Sequence, residues 1–240
     1  NGKWADAWHP VQSTDEQGGF VRQSASFRNW ITPLGGVGPH GQRAYPAERG
    51  RYHLYVAYIC PWACRTLIAR ALKGLEDVIT ISVVEPVLTD QGWRFGGYPG
   101  STSDSELGVT HLHELYTHAD PRFTGRATVP VLWDKQRGTI VNNESADILR
   151  ILNDGFGELA GSRIDLYPDA LREEIDAVNT KLYDGFNNGV YRAGFATTQT
   201  AYDTAVTTVF DRLDWLEARM AARAFLVGEQ LTEADIRAFV

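Results

Sequence analysis

The hydrophobic pattern is clearest from Arg51 onward, where "RYHLYVAYI" alternates and is rich in aromatic and β-branched residues, the signature of a strand. "WACRTLIARALKGL" follows with Leu67, Ile68, Ala71, Leu72 and Leu75 at helical spacing, and "VITISVV" is a mostly apolar strand. A strand, a helix and a strand in that order predict two parallel strands joined by a right-handed crossover. After a long stretch dense in Gly, Pro and Ser, "EPVLTDQGWRFGGYPGSTSDSELG", which reads as a loop, "VTHLHELYTHAD" predicts a helix. "VPVLWDKQRGTIVNN" then predicts a hairpin with Arg137-Gly138 near its turn, and "ESADILRILND" a further helix.

Beyond "GFGELAG" the strand signals stop. Two amphipathic segments, roughly 169–188 and 199–223, predict an all-helical second half, and Thr232-Glu233-Ala234-Asp235 reads as a capping box opening one more helix. The first fifty residues carry Trp4, Trp8, Phe20, Phe27 and Trp30 with no sustained period, so they read as an extension draped over the domain by its aromatics. The expected organisation is an extension over 1–50, an α/β domain over 51–155, and a helical domain over 156–240 that is incomplete at its C-terminal end.

Composition narrows the function classes. With 43% hydrophobic and 22% charged residues the chain is that of an ordinary soluble globular protein, and its net charge of -7 argues against general affinity for nucleic acid or an anionic membrane. No apolar run reaches the ~20 residues of a membrane helix, and "NGKWADAWHP" has neither a basic nor a hydrophobic leader region. The two cysteines, Cys60 and Cys64, cannot staple a secreted scaffold, so reduced thiols in the cytoplasm are expected and the sequon at Asn143 reads as chance.

Cys60 stands between the first strand and a helix that Pro61 opens, which places it at the helix N-cap. Unbonded N–H groups and the positive end of the helix dipole favour a thiolate there, a usable nucleophile at neutral pH. The competing reading is a small buried hydrophobe. Cys64, one turn further on, is either a resolving thiol or a packed residue; the spacing is CxxxC and not CxxC. Pro130 opens a strand, and a cis Val129-Pro130 bond would leave the Val129 backbone available to an extended peptide; a plain strand-edge proline is the alternative. Glu144 and Ser145 begin a helix, either to hold an amine and a carboxylate or simply to cap it. Trp93 in the glycine-rich loop and Arg126 are compatible with ligand contacts or with a surface anchor and a solvated charge. His111 and His113 are expected on different sides of a helix, so no metal site is expected, and no P-loop is present.

Taken together, "CPWACRTLIAR", "GWRFGGYPGSTSD", "HLHELYTHADPRFTGRATVPVLWDKQRGTIVNNESADILRIL", "NNGVYRAGFATTQTAY" and the N-terminal "FRNWIT" resemble the glutathionyl-hydroquinone reductases, the xi class of the glutathione transferases. The resemblance implies a thioredoxin-like domain with a mixed four-stranded sheet, a helical domain, and a homodimer without metal. It also implies that Cys60 takes glutathione from a glutathionyl-hydroquinone as a mixed disulfide, which a second glutathione, the co-substrate, then releases. Position by position, Trp93, Arg126, Val129, Glu144 and Ser145 match residues that hold glutathione, and Tyr191 matches one that lines the aromatic-substrate pocket. Cys64 departs from the His that the family commonly has there. Glutathione conjugation to electrophiles and a non-catalytic binding or scaffold role remain as alternatives; the first relies on a Tyr or Ser hydroxyl where this chain has Cys60.

Overall fold

A computed structural model of the chain describes residues 13–240; Trp4 and Trp8 lie outside them. The chain divides into two compact units, one containing Ala25–Ile164 and the other 13–24 with Asp165–Val240.

The first unit is built on a four-stranded sheet in the order β5-β4-β6-β7. The central strand β4 (Tyr52–Val56) is buried along its whole length, as a strand covered on both faces must be. It runs parallel to β5 (Ile79–Val83), with Leu54 opposite Ile81, and the helix α1 (Pro61–Leu72) supplies the crossover. On its other side it pairs antiparallel with β6 (Val131–Asp134), Leu54 facing Leu132. A hairpin continues to β7 (Thr139–Asn142), with a register irregularity at Leu132/Trp133. The helix α2 (Leu112–Ala119) precedes the hairpin, and α3 (Ser145–Asp154) follows it and packs on α1. These are the elements the periodicity predicts, and the sheet is mixed as expected.

Residues 30–46 differ from the aperiodic extension expected. They form a separate three-stranded sheet: β1 (Trp30–Thr32) parallel to β3 (Arg43–Pro46), and β2 (Gly36–Val37) antiparallel to β3. Strands of two to four residues are too short to display a period, and Gly35 and Gly36, both at positive φ, hide the turn between them. This sheet is seated on α3, where a Cβ added to Gly155 would come within 2.5 Å of the Ile31 carbonyl oxygen. The preceding residues are held by Arg28, whose guanidinium clasps the Asp147 carboxylate at 2.5 and 2.9 Å.

Residues 156–164, expected with the helical half, belong to the first unit. Gly161 N–H donates to the Gly74 carbonyl, Ser162 N–H to that of Lys73, and the Lys73 ammonium returns to the Ile164 carbonyl at 2.5 Å.

In the second unit, the segment expected as one helix over 169–188 is a short 3-10 turn, then α4 (Arg172–Leu182), a π-turn over Tyr183–Asn187, and α5 (Gly189–Gly194). The long helix α6 (Gln199–Met220) and α7 (Glu233–Phe239) complete it. Its core gathers Ile175, Val178, Leu182, Leu226, Val227 and Ala234. The Asp235 carboxylate accepts the Thr232 and Leu226 N–H groups at 2.8 and 2.7 Å, closing the capping box. Residues 13–24 turn back on themselves through the Thr14–Phe20 bridge and bury Phe20 against Tyr191 and Phe195.

Candidate active site

The end of β4 and the starts of α1 and α3 bring several of the expected residues into two small groups. In the first, β4 is followed by the exposed turn at Tyr58 and Ile59, and Cys60 occupies the N-cap of α1 in extended conformation (φ -92, ψ 113) with Pro61 in the first helical turn. The Cys60 carbonyl accepts the Cys64 N–H at 2.9 Å, so the helix is closed from its first turn. The Cys60 thiol is half-buried, and its sulfur lies 3.8 Å from the carbonyl oxygen of Val129. The Val129-Pro130 bond is cis, and Val129 itself is buried. Residues separated by nearly seventy positions in sequence thus meet at Cys60.

Cys64 faces a different environment. Its thiol donates to the Tyr58 carbonyl at 3.4 Å, and burial pushes it above the ordinary thiol range. Neither cysteine is in a disulfide.

The second group gathers at the start of α3. Asn142 receives the Glu144 N–H on Oδ1 at 2.8 Å, which orients the chain as it enters the helix. Glu144 is the N-cap, its carboxylate accepting the Ala146 N–H at 3.2 Å and the Ser145 hydroxyl at 3.4 Å. Capping is therefore one thing these residues do, and Glu144 remains half-buried while Ser145 is buried. Arg65, which pattern reading passed over, joins the group from α1: its guanidinium donates to Ser145 Oγ at 3.5 Å and lies 4.4 Å from the centre of the Trp62 ring. A cation on a helix is ordinarily read as solvent-facing. Its position one turn after Trp62 is the only local sign that it turns inward.

Trp93 is half-buried in the loop between β5 and α2, its carbonyl accepting the Leu112 N–H that starts α2, and Arg126 is half-buried three residues before Val129. Tyr191 lies on α5, in the second unit, with the Arg22 guanidinium 4.4 Å from its ring centre and Phe20 stacked beside it.

Asp104 folds the loop that carries Trp93. Its carboxylate accepts the N–H groups of Glu106, Leu107 and Val109 and the Tyr55 hydroxyl, all within 3.1 Å. Burial works against its charge, but these donors outweigh it and hold the carboxyl below its ordinary range. His53, the second residue of β4, lies between Thr80 Oγ1 at 2.6 Å and Ser82 Oγ at 2.9 Å. Burial lowers it to about 4, so it is neutral near pH 7 and its 3.3 Å approach to Glu106 is then not an ion pair.

The rings of His111 and His113, expected on different sides of a helix, stack at 5.6 Å. His111 is the N-cap of α2 and not part of it, and its extended backbone lets the two rings align. Among the described residues no group of three or more His, Cys, Asp and Glu could hold a metal ion. No helix there is long and apolar enough to cross a membrane.

Two family models match the chain: "Glutathione S-transferase, N-terminal domain" over residues 59–154 and "Glutathione S-transferase, C-terminal domain" over 199–240. A thioredoxin-like unit followed by a helical one is the domain plan of that superfamily. The chain is 51% identical over 99% of its length to glutathionyl-hydroquinone reductase YqjG of Escherichia coli, covering 72% of that protein. It is 47% identical over its full length to glutathionyl-hydroquinone reductase PcpF of Sphingobium chlorophenolicum, again covering 72%. Among solved structures, the xi glutathione transferase of Phanerochaete chrysosporium superposes with a TM-score of 0.89 at 48% identity, over 95% of this chain and 74% of that one. The glutathione-bound structure of YqjG gives 0.85 at 53% identity, over 88% and 69%. The chain belongs to the glutathionyl-hydroquinone reductases, the xi class of the glutathione transferases.

Proposed function

We propose that this chain reduces glutathionyl-hydroquinones to hydroquinones at the expense of glutathione, with Cys60 as the nucleophile. The supporting observation is Cys60 itself: the N-cap of α1, half-exposed, close to the cis Val129-Pro130 bond. The helix dipole and the first-turn N–H groups favour a thiolate at that point.

The Cys60 thiolate attacks the glutathione sulfur, forming an S–S bond as the bond from that sulfur to the ring carbon breaks. The electron pair leaves with the ring carbon, which takes a proton, and free hydroquinone departs. A second glutathione thiolate then attacks the mixed disulfide, releasing glutathione disulfide and regenerating the Cys60 thiolate. Glutathionyl-hydroquinone and glutathione thus give hydroquinone and glutathione disulfide.

Glutathione is held, in this proposal, by Trp93, Arg126 and the Val129 backbone along its peptide and by Glu144 and Ser145 at its γ-glutamyl end. Glu144 offers a carboxylate to the ammonium and Ser145 a hydroxyl to the carboxylate. Tyr191 is the residue proposed for the aromatic group. A homodimer working among the reduced thiols of the cytoplasm completes the proposal, and sedimentation of the purified protein tests the dimer.

Release of free hydroquinone from a glutathionyl-hydroquinone, followed by chromatography in the presence of glutathione, tests the chemistry. Release by the wild type, accompanied by a glutathione adduct on Cys60 in the mass spectrum and lost in Cys60→Ser, is expected. Equal release by both proteins would overturn it.

A further inference from the structure

Arg65 has no place in the chemistry described so far, yet it is among the most deeply enclosed charges in the first unit, with 3% of its surface exposed. A guanidinium is costly to bury, and one kept in the interior beside a ligand-binding group invites a reason. Contacts with Trp62 and Ser145 bear on its orientation. The Trp62 ring, 4.4 Å away, receives its face, and its Nη1 donates to Ser145 Oγ at 3.5 Å.

That donation decides what the Ser145 hydroxyl can do. A hydroxyl is both donor and acceptor, and an N–H arriving at its oxygen leaves its hydrogen to be given to something else. In the structure the recipient is Glu144 Oε1, at 3.4 Å. Arginine has no acceptor to offer, so the hydrogen of Ser145 cannot point back toward α1. The three side chains form a one-way series: guanidinium to hydroxyl to carboxylate.

We infer that Arg65 is a positioning residue for glutathione, acting through Ser145 so that its hydroxyl is presented as a donor to the γ-glutamyl carboxylate. The inference rests on the reading of Glu144 and Ser145 given above. When that carboxylate arrives, it takes the hydrogen that Glu144 now accepts, and the ammonium takes Glu144 in exchange. The long, easily broken 3.4 Å contact suits such an exchange. The positive charge of Arg65 lies behind the hydroxyl and adds attraction for a carboxylate, in a region where burial weakens screening.

The test is equilibrium binding by titration calorimetry in a Cys60→Ser background, which excludes covalent capture. Two probes are compared: glutathione, and cysteinylglycine, which lacks the γ-glutamyl group. The parent protein is expected to prefer glutathione, and Arg65→Gln to weaken glutathione about tenfold, the scale of one hydrogen bond to a charged group. Cysteinylglycine binding should change by less than about twofold on the same scale. A purely structural strut would weaken both probes alike, and that outcome, or no change in either, overturns the inference.

Should Arg65→Gln fail to fold, Arg65→Lys carries the test. It is expected to lose part of the preference when Ser145 is present and none in a Ser145→Ala background; equal losses in the two backgrounds, or no loss in either, count against Arg65. A parent protein that binds the two probes equally would instead refute the γ-glutamyl role of Glu144 and Ser145, and Arg65 with it.

Discussion

Strand β4 has charged groups near both of its ends, and the two ends are built differently. Just before its start, Arg51 grips the fully buried Asp134 carboxylate with two N–H groups at 3.0 and 2.6 Å, and reaches Glu48 at 2.7 Å. Asp134 also accepts the N–H groups of Gln136 and Arg137, and the hydrogen bonds that Arg51 donates to Asp134 raise the Arg51 pKa despite burial. Just beyond its end, several side-chain contacts are longer: 3.5 Å from Arg65 to Ser145 and 3.4 Å from Ser145 to Glu144, with the larger Cys60 sulfur 3.8 Å from the Val129 oxygen. Cys60 and Glu144 also keep part of their surface open. Short, multiply satisfied contacts hold a fold together and leave no capacity for a ligand. Longer ones can be exchanged for a ligand's at smaller cost, and the partly open Cys60 and Glu144 give a ligand access to them.

The widest separation between the two ends should come from Cys60→Ser. Turnover of a glutathionyl-hydroquinone is expected to fall by at least about 10³, the scale of losing a nucleophile, while urea unfolding shifts by no more than about 0.5 kcal/mol. A stability loss as large as that at the other end would erase the distinction. Arg51→Met is the mirror experiment. It leaves the Asp134 charge enclosed without its guanidinium and is expected to cost about 3–5 kcal/mol, read from the shift in urea midpoint. Turnover per folded molecule should hold, and a cost below about 1 kcal/mol would show that the pair is not a fastening.

His53, near the start of the strand, gives a pH-dependent test. Its pKa is depressed to about 4 from the ordinary 6.5 chiefly by burial, so the unfolded chain takes up the proton first as pH falls. Its contribution is present above pH ~6.5 and is lost progressively toward pH ~4, by about 3 kcal/mol in all. Unfolding of His53→Gln between those pH values should show a flatter slope than the wild type, and parallel slopes would contradict the assignment. The smallest effect is expected at Cys64. Burial raises its thiol, and Cys64→Ser should keep hydroquinone release within about twofold, so a large loss would give the second cysteine a part in the reaction.

The architecture around β4 was legible because its elements are long enough to carry a period: the crossover pair and the hairpin could both be read, whereas the antiparallel pairing of β4 with β6 that joins them carries no local signal. The small sheet over residues 30–46 was not legible, since none of its strands is longer than two periods. The π-turn at Tyr183–Asn187 was hidden for the opposite reason: the apolar pattern runs on through it as though the helix were continuous. At the candidate site, Cys60 was marked by Pro61 and by its place after a strand, and Glu144 and Ser145 by the helix they open. Arg65 and Asp104 carried no such mark. Arg65 meets Ser145 eighty positions away, and Asp104 acts on backbone N–H groups, which look alike in every sequence.

The main sheet ends on neither side in a bare strand. Along β7, Asn29 donates to the Val141 carbonyl, Asn143 donates to that of Phe27, and Arg28 bridges Asn142. Along β5, Thr102 gives its N–H to the Val83 carbonyl and receives the Val83 N–H on its hydroxyl, while Phe95 bridges Val84. An open strand invites a neighbouring molecule to continue the ladder, the first step toward an insoluble aggregate. The irregular segments on either flank therefore act as stops. A chain trimmed to begin at Arg51 would retain Cys60, Glu144 and Ser145 yet bare the β7 side, and its failure in the test tube would be precipitation before any loss of chemistry could be measured.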